Sequence, residues 1–246
     1  MHYGVFIFIL TFTSLDEAVI KIPFKLDESA LPIVTLNING QAGEFMLDTG
    51  SAFAFHFDPA FIRQVPWLKP LKDKVRTTDL TGEVFLNDKF MFHHVSVNGM
   101  SFENVEGVSL SPWGLTLQPD GKRPESMVIG LGLFRQKVLM IDYPHRLFTV
   151  ANRLDDFTID RQQWLTLPLM ITDEGIIIEV MKNNESFNML LDTGATLSML
   201  WSKRLNRTDN VFPCKEVIAG MDDEGCQATQ INIKQATSGK INIAAI

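Results

Sequence analysis

The sequence of 246 residues has only two cysteines, which excludes a small fold held together by a framework of disulfides. It is also short of positive charge, because 22 Lys and Arg against 29 Asp and Glu leave a net charge of −7. Binding to nucleic acid needs a basic surface, so we expect no nucleic-acid partner. The five histidines are scattered along the chain, and together with so few cysteines they predict no metal site.

No stretch stays apolar for the roughly 20 residues that a membrane-spanning helix needs. The nine-residue apolar run over residues 4–12 has the length of the apolar centre of a signal peptide, and such a peptide would comprise residues 1–18. In that case the protein is secreted or periplasmic. The alternative is a buried first strand, because no Lys or Arg precedes the run, and the localisation is then unknown.

Long stretches with the 3.6-residue period of a helix are absent as well. Short apolar or alternating runs separated by turn residues predict an all-β protein. Asn39-Gly40 predicts a hairpin turn, and Asp58 followed by Pro59 predicts the start of a short helix over residues 59–64. The Pro- and Gly-rich residues 111–126 are expected to form a surface loop. Strands are predicted over residues 31–38, 44–47, 89–98, 105–110, 138–141 and 147–150.

The sequence contains one internal repeat. Residues 31–51 (LPIVTLNINGQAGEFMLDTGS) and residues 175–195 (GIIIEVMKNNESFNMLLDTGA) align without a gap at an offset of 144. Each copy has an apolar strand, a turn, a second strand and then Leu-Asp-Thr-Gly. Because burying an unpaired carboxylate is costly, two acids related by internal symmetry suggest that Asp48 and Asp192 meet. The alternative is that both acids only cap turns.

The Asp-Thr-Gly-Ser motif at residues 48–51 and the Asp-Thr-Gly-Ala motif at residues 192–195 resemble the paired active-site signatures of the aspartic peptidases, both pepsin-like and retropepsin-like. The apolar-apolar-Gly segment at residues 128–130 is similar to the element that packs behind the catalytic loop in that family. The resemblance covers roughly residues 20–246 and implies a two-lobed, single-chain barrel fold.

The resemblance also implies a domain organisation. The N-terminal lobe is expected over residues 19–152, a connection over residues 153–163, and the C-terminal lobe over residues 164–246. The counterpart of Gly130 in the second half would fall at position 274, beyond the last residue of the sequence. We therefore expect the second lobe to be incomplete and the sequence to be a truncated part of a longer enzyme.

The activity implied by the resemblance is that of an aspartic endopeptidase. Two carboxyl groups about 3 Å apart share one proton, because both cannot ionise cheaply. The ionised acid activates a water and the protonated one donates to the peptide carbonyl, so no cofactor is required. By resemblance, Thr49 and Thr193 cross-link the two loops through their hydroxyls. Gly50 and Gly194 allow backbone N–H groups to approach the carboxylates.

The two motifs differ at their fourth position. The Ser51 hydroxyl can donate a hydrogen bond to Asp48, whereas Ala195 has no such group for Asp192. A hydrogen bond to the charged form favours that form. This difference predicts that Asp48 holds the negative charge and Asp192 holds the proton.

A turn follows each acid at a nearly equal distance, at Thr81-Gly82 in the first half and around Asp223 and Gly225 in the second. Either turn could be the tip of a flap over the substrate, or a plain surface hairpin. The first segment lacks the flap tyrosine of pepsin-like enzymes, which favours the two-flap retropepsin-like arrangement. The two cysteines, Cys214 and Cys226, either form a hairpin disulfide in an exported protein or remain free thiols.

Two functions from different classes stay open at this stage. One is a monomeric acid peptidase acting on a peptide or protein substrate, and the other is an inactive peptide-binding relative with an incomplete second lobe. Both signature loops are intact, which favours the enzyme. Pairing of two chains, as in retroviral homodimers, is unnecessary because one chain carries both motifs.

Overall fold

The structure is a computed structural model that describes residues 19–78, 84–110, 126–157, 169–172, 175–182, 185–195, 212–213 and 227–228. These residues form fifteen strands, one α-helix and two short 3-10 helices. The predicted all-β class is therefore confirmed. Within the same residues, no helix has the length and apolar character needed to cross a membrane.

The first ten strands form one sheet, and their bounds follow the chain from residue 19 to residue 151. They are β1 (Val19–Leu26), β2 (Pro32–Ile38), β3 (Gln41–Asp48), β4 (Phe55–Phe57), β5 (Lys69–Thr78), β6 (Val84–Val97), β7 (Met100–Ser109), β8 (Met127–Gly130), β9 (Val138–Asp142) and β10 (Leu147–Ala151). Helix α1 spans Pro59–Gln64, and the 3-10 helices span Leu131–Phe134 and Leu154–Asp156.

The remaining strands form two smaller sheets. One is three-stranded and the other is two-stranded. They contain β11 (Leu169–Thr172), β12 (Gly175–Lys182), β13 (Glu185–Leu191), β14 (Phe212–Pro213) and β15 (Gln227–Ala228).

The large sheet has the strand order β5-β6-β7-β4-β8-β3-β2-β1-β10-β9. It folds back on itself where Ile38 at the end of β2 pairs with Val97 at the end of β6. The six strands from β6 to β2 in this order, both included, therefore close into a barrel-like ring. Most neighbours are antiparallel, but β3 with β8 and β4 with β7 are parallel.

Phenylalanine fills the interior of the ring. The Phe57 ring stacks on Phe90 with centroids 5.2 Å apart, and it meets Phe55 at 4.7 Å and Phe61 of helix α1 at 4.9 Å. Phe45 of β3 joins the same cluster and is fully buried. Each such ring removes a large apolar area from water, so this cluster contributes strongly to the stability of the sheet that contains β3.

The local signals in the sequence are confirmed where the structure describes them. The hairpin turn at Asn39-Gly40 places both residues at positive φ, 51° and 90°, as a type I′ turn requires. Helix α1 begins at Pro59 after Asp58, whose side chain accepts a 2.7 Å hydrogen bond from the backbone N–H of Phe61. The six strands predicted over residues 31–150 are present with shifted ends.

Several sequence predictions lie outside the described residues. These are the signal peptide over residues 1–18, the four flap residues Thr81, Gly82, Asp223 and Gly225, and the cysteines Cys214 and Cys226. Of the loop predicted over residues 111–126, all but the last residue also lie outside. The division into lobes at residues 152 and 164 also stays a prediction.

Candidate active site

The two copies of the repeat form matching hairpins. In the first, β2 pairs with β3 and the second strand ends at Asp48. In the second, β12 pairs with β13 in the same antiparallel manner, and Asp192 follows directly after its last residue. Each acid therefore occupies the start of the tight turn that ends an apolar strand.

The two turns are joined by four hydrogen bonds between threonines and backbone. The Thr49 N–H donates to Thr193 Oγ1 and the Thr193 N–H donates to Thr49 Oγ1, both at 3.0 Å. Each hydroxyl then donates into the other half, Thr49 to the Leu191 carbonyl and Thr193 to the Leu47 carbonyl, both at 2.7 Å. This reciprocal arrangement fixes the loops against each other with internal two-fold symmetry.

The two glycines allow the carboxyl groups to approach the opposite loop. A Cβ atom at Gly50 would lie 2.5 Å from Asp192 Cγ, and one at Gly194 would lie 2.7 Å from Asp48 Cγ. Each glycine N–H also donates a 2.7 Å hydrogen bond to Oδ1 of the aspartate in its own loop. The structure thus brings Asp48 and Asp192 together, each packed against the glycine of the other motif.

The apolar-apolar-Gly segment lies behind the first loop, as the resemblance implies. Strand β8 runs parallel to β3 and places Gly130 beside Asp48. The Gly130 N–H donates to the Ala54 carbonyl at 3.0 Å, and the Leu131 N–H donates to the Ser51 carbonyl at 2.9 Å. A Cβ at Gly130 would lie 2.3 Å from the Phe53 carbonyl oxygen, so only glycine fits here.

The first carboxyl is the more enclosed of the two. Asp48 is 2% exposed, whereas Asp192 is partly exposed. Burial raises the pKa of Asp48 well above its ordinary value, and the charge of Asp192 and a hydrogen bond with it act in the same direction. Backbone N–H groups of Gly50 and Ser51 oppose this effect without cancelling it. Burial therefore favours the protonated form of Asp48.

The expectation that the Ser51 hydroxyl donates to Asp48 is wrong. Ser51 Oγ lies 2.7 Å from Nε2 of His56, and within the described part of the chain it makes no hydrogen bond to Asp48. The predicted assignment of the negative charge to Asp48 rested on that bond, so it loses its support and stays a prediction. Ser51 supports the carboxyl through its backbone N–H instead.

His56 is the residue near the site that sequence analysis missed. It is 8% exposed in β4, and burial lowers the pKa of its imidazole to about 4. Its ring also meets the Phe53 ring edge-on at 5.9 Å. A histidine within an aromatic strand resembles a packing residue, and only the fold places it beside Ser51. Ala195, the counterpart of Ser51, is exposed.

The threonine cross-link can be tested by removing a hydroxyl. Thr49→Val leaves the Leu191 carbonyl and the Thr193 N–H without their partners, so we expect the free energy of unfolding to fall by about 2–3 kcal/mol. Thr49→Ser keeps both bonds, so its free energy of unfolding is expected to fall by less than half as much. Chemical denaturation of both variants measures the difference. Equal losses in the valine and serine variants would contradict the role of the hydroxyl.

Of the comparisons with known proteins, the one with solved structures found matches. No family model matches the chain, and no curated protein matches it. Among solved structures, the chain is similar to a retropepsin-like aspartic protease from Rickettsia conorii. The match has 17% sequence identity and a TM-score of 0.37, and it covers 54% of this chain and 91% of that one.

Proposed function

We propose that the protein is an aspartic endopeptidase that hydrolyses peptide bonds with a water held between Asp48 and Asp192. The observation that supports this most directly is the pair of Asp-Thr-Gly turns joined by reciprocal threonine hydrogen bonds. A purely structural pair of turns has no need for two carboxyl groups packed against each other's glycine, because the mutual repulsion and burial of two acids are costly.

The proposed mechanism assigns one role to each acid. Asp192, ionised, takes a proton from the water as its oxygen attacks the carbonyl carbon of the substrate. Asp48, protonated, donates its proton to the carbonyl oxygen, which gives a neutral tetrahedral diol. Asp192 then passes its proton to the amide nitrogen while Asp48 recovers one from a diol hydroxyl, the C–N bond breaks, and both acids return to their starting states.

The proton assignment predicts a bell-shaped dependence of activity on pH. Activity falls at high pH as Asp48 loses its proton, and it falls at low pH as the pair takes up a second proton. Because the pKa of Asp48 is raised, the loss at high pH begins above the range in which an ordinary aspartate ionises.

The proposed substrate is an extended segment of a peptide or protein. A single chain supplies both acids, so we propose that the monomer is active. The second candidate, a peptide-binding relative without catalysis, predicts binding of the same segment with no cleavage.

The direct test is incubation with an unfolded protein at several acidic pH values, with and without a statine peptide. A statine carries a hydroxyl where the tetrahedral intermediate has one, so it binds between the two acids. We expect cleavage that the statine abolishes. Binding of the statine peptide without any cleavage would support the non-catalytic alternative, and cleavage that ignores the statine would contradict the proposed site.

A further inference from the structure

The two halves of the site differ in one side-chain contact. The offset of the repeat aligns Ser51 with Ala195 and aligns His56 with Leu200 in the sequence. Neither alanine nor leucine has a side chain that forms hydrogen bonds. The contact between Ser51 and His56 therefore has no chemical counterpart at the equivalent positions of the second half.

We propose that His56 determines which acid holds the shared proton, because it holds the Ser51 hydroxyl away from Asp48 and so leaves Asp48 protonated and Asp192 charged. His56 is then a positioning residue that acts through Ser51 and does not itself touch the substrate. This inference rests on the proposed function, since the location of the proton matters for catalysis only in a working acid pair.

Two positions are open to the Ser51 hydroxyl. The backbone N–H of Ser51 donates to the backbone carbonyl of Asp48 at 3.4 Å and also lowers the pKa of the Asp48 carboxyl, so Ser51 lies next to the acid. A serine side chain has other staggered rotamers, and the proposal requires that one of them directs Oγ to Asp48. The structure has Oγ at 2.7 Å from His56 Nε2. The imidazole therefore competes with the carboxyl for the hydroxyl.

With the hydroxyl withheld, backbone N–H groups supply the remaining hydrogen bonds, and those from Gly50 and Ser51 oppose the effect of burial on Asp48 without cancelling it. Gly50 and Gly194 each donate one bond of 2.7 Å to the acid of their own loop. Burial is then the main remaining difference, and it disfavours charge on Asp48, the more enclosed acid. Tyr143 also lies near Asp192. Partial burial raises the pKa of its phenol, and the charge of Asp192 raises it further, so the phenol stays neutral in acid.

The strands on either side of His56 present mainly apolar groups to it. Strand β4 pairs His56 with Val108 of β7 and with Val128 of β8, so these side chains share one face of the sheet. On the same face, Glu106 of β7 and Lys89 of β6 form an ion pair of 2.9 Å. Their charges offset each other. The contact of His56 that leads to the acid pair is the one with the Ser51 hydroxyl.

The test is a titration of the aspartate carboxyl carbons by NMR in the full chain, comparing wild type with Ser51→Ala, His56→Phe and the double variant. We expect Ser51→Ala to leave the Asp48 midpoint unchanged. His56→Phe frees the hydroxyl for Asp48 and should move that midpoint to lower pH by about one pH unit. The double variant should return to the wild-type midpoint, because the freed hydroxyl is gone.

His56→Gln is the matched control, since its amide can still hold the hydroxyl, and its midpoint should stay near that of wild type. A higher Asp48 midpoint in Ser51→Ala would overturn the proposal, because the hydroxyl would already be bound to Asp48. An equal shift in His56→Phe and in the double variant would overturn it too. If His56→Phe does not fold, His56→Leu takes its place, with the same expected shift and the same double variant with Ser51→Ala. The titration needs no catalysis, so an inactive protein would overturn the proposed function without affecting this result.

Discussion

Cleavage of an unfolded protein is expected to fall by roughly 10²–10⁴-fold when either Asp48 or Asp192 is replaced by asparagine. The asparagine amide has almost the shape of the carboxyl group, so packing against Gly194 or Gly50 is kept. It can neither take a proton from water nor donate one as an acid. Because the mechanism gives each acid a separate step, both single variants should be equally inactive.

Asp155→Asn provides the control for this experiment. Asp155 is an exposed aspartate far along the chain from either motif, and its replacement should leave the rate of cleavage unchanged. Binding of a statine peptide by the inactive variants would show that they remain folded. Substantial activity in Asp192→Asn would contradict the two-acid mechanism, since the water would then be activated by another group.

The second large effect is expected from one methyl group at the centre of the site. In Gly194→Ala the new Cβ would lie 2.7 Å from Asp48 Cγ, closer than two carbon atoms can approach. The carboxyl of Asp48 must shift, and a displacement of this size at the reacting groups should lower kcat/KM by about 100-fold or more. Stability should fall less severely, by about 1–3 kcal/mol.

Gly40→Ala separates this contact from a general cost of losing glycine. Gly40 has a φ of +90° in the β2–β3 turn, and nothing lies within 4 Å of the position that a Cβ would take. The variant should therefore lose stability through backbone strain and keep its activity. Wild-type kcat/KM in Gly194→Ala would contradict the close approach of the two loops.

The internal repeat in the sequence predicted the paired Asp-Thr-Gly turns of the site. Two copies of one hairpin with the same motif have the same local structure, and the symmetry that joins them places Thr49 opposite Thr193. The turn at Asn39-Gly40 and the cap at Asp58 were also predictable, because a few neighbouring residues determine them.

Features that depend on distant parts of the chain were not predictable. Strands β1 and β5 were missed, since β1 is defined by its pairing with β10 and β2, and β5 by its pairing with β6. The contact of the Ser51 hydroxyl with His56, in place of Asp48, was not predictable either. Both residues are visible in the sequence, but the position of the imidazole depends on the pairing of β4 with β7 and β8.

The central claim is that Asp48 and Asp192 meet and share one proton. A carbon NMR titration of the wild-type carboxyl groups tests it most directly. We expect the pair to titrate in two separated steps, with Asp48 ionising well above the ordinary aspartate range, and we expect replacement of Asp192 by asparagine to lower the upper step. Two independent titrations at ordinary aspartate values, unchanged by removal of the partner acid, would contradict the account.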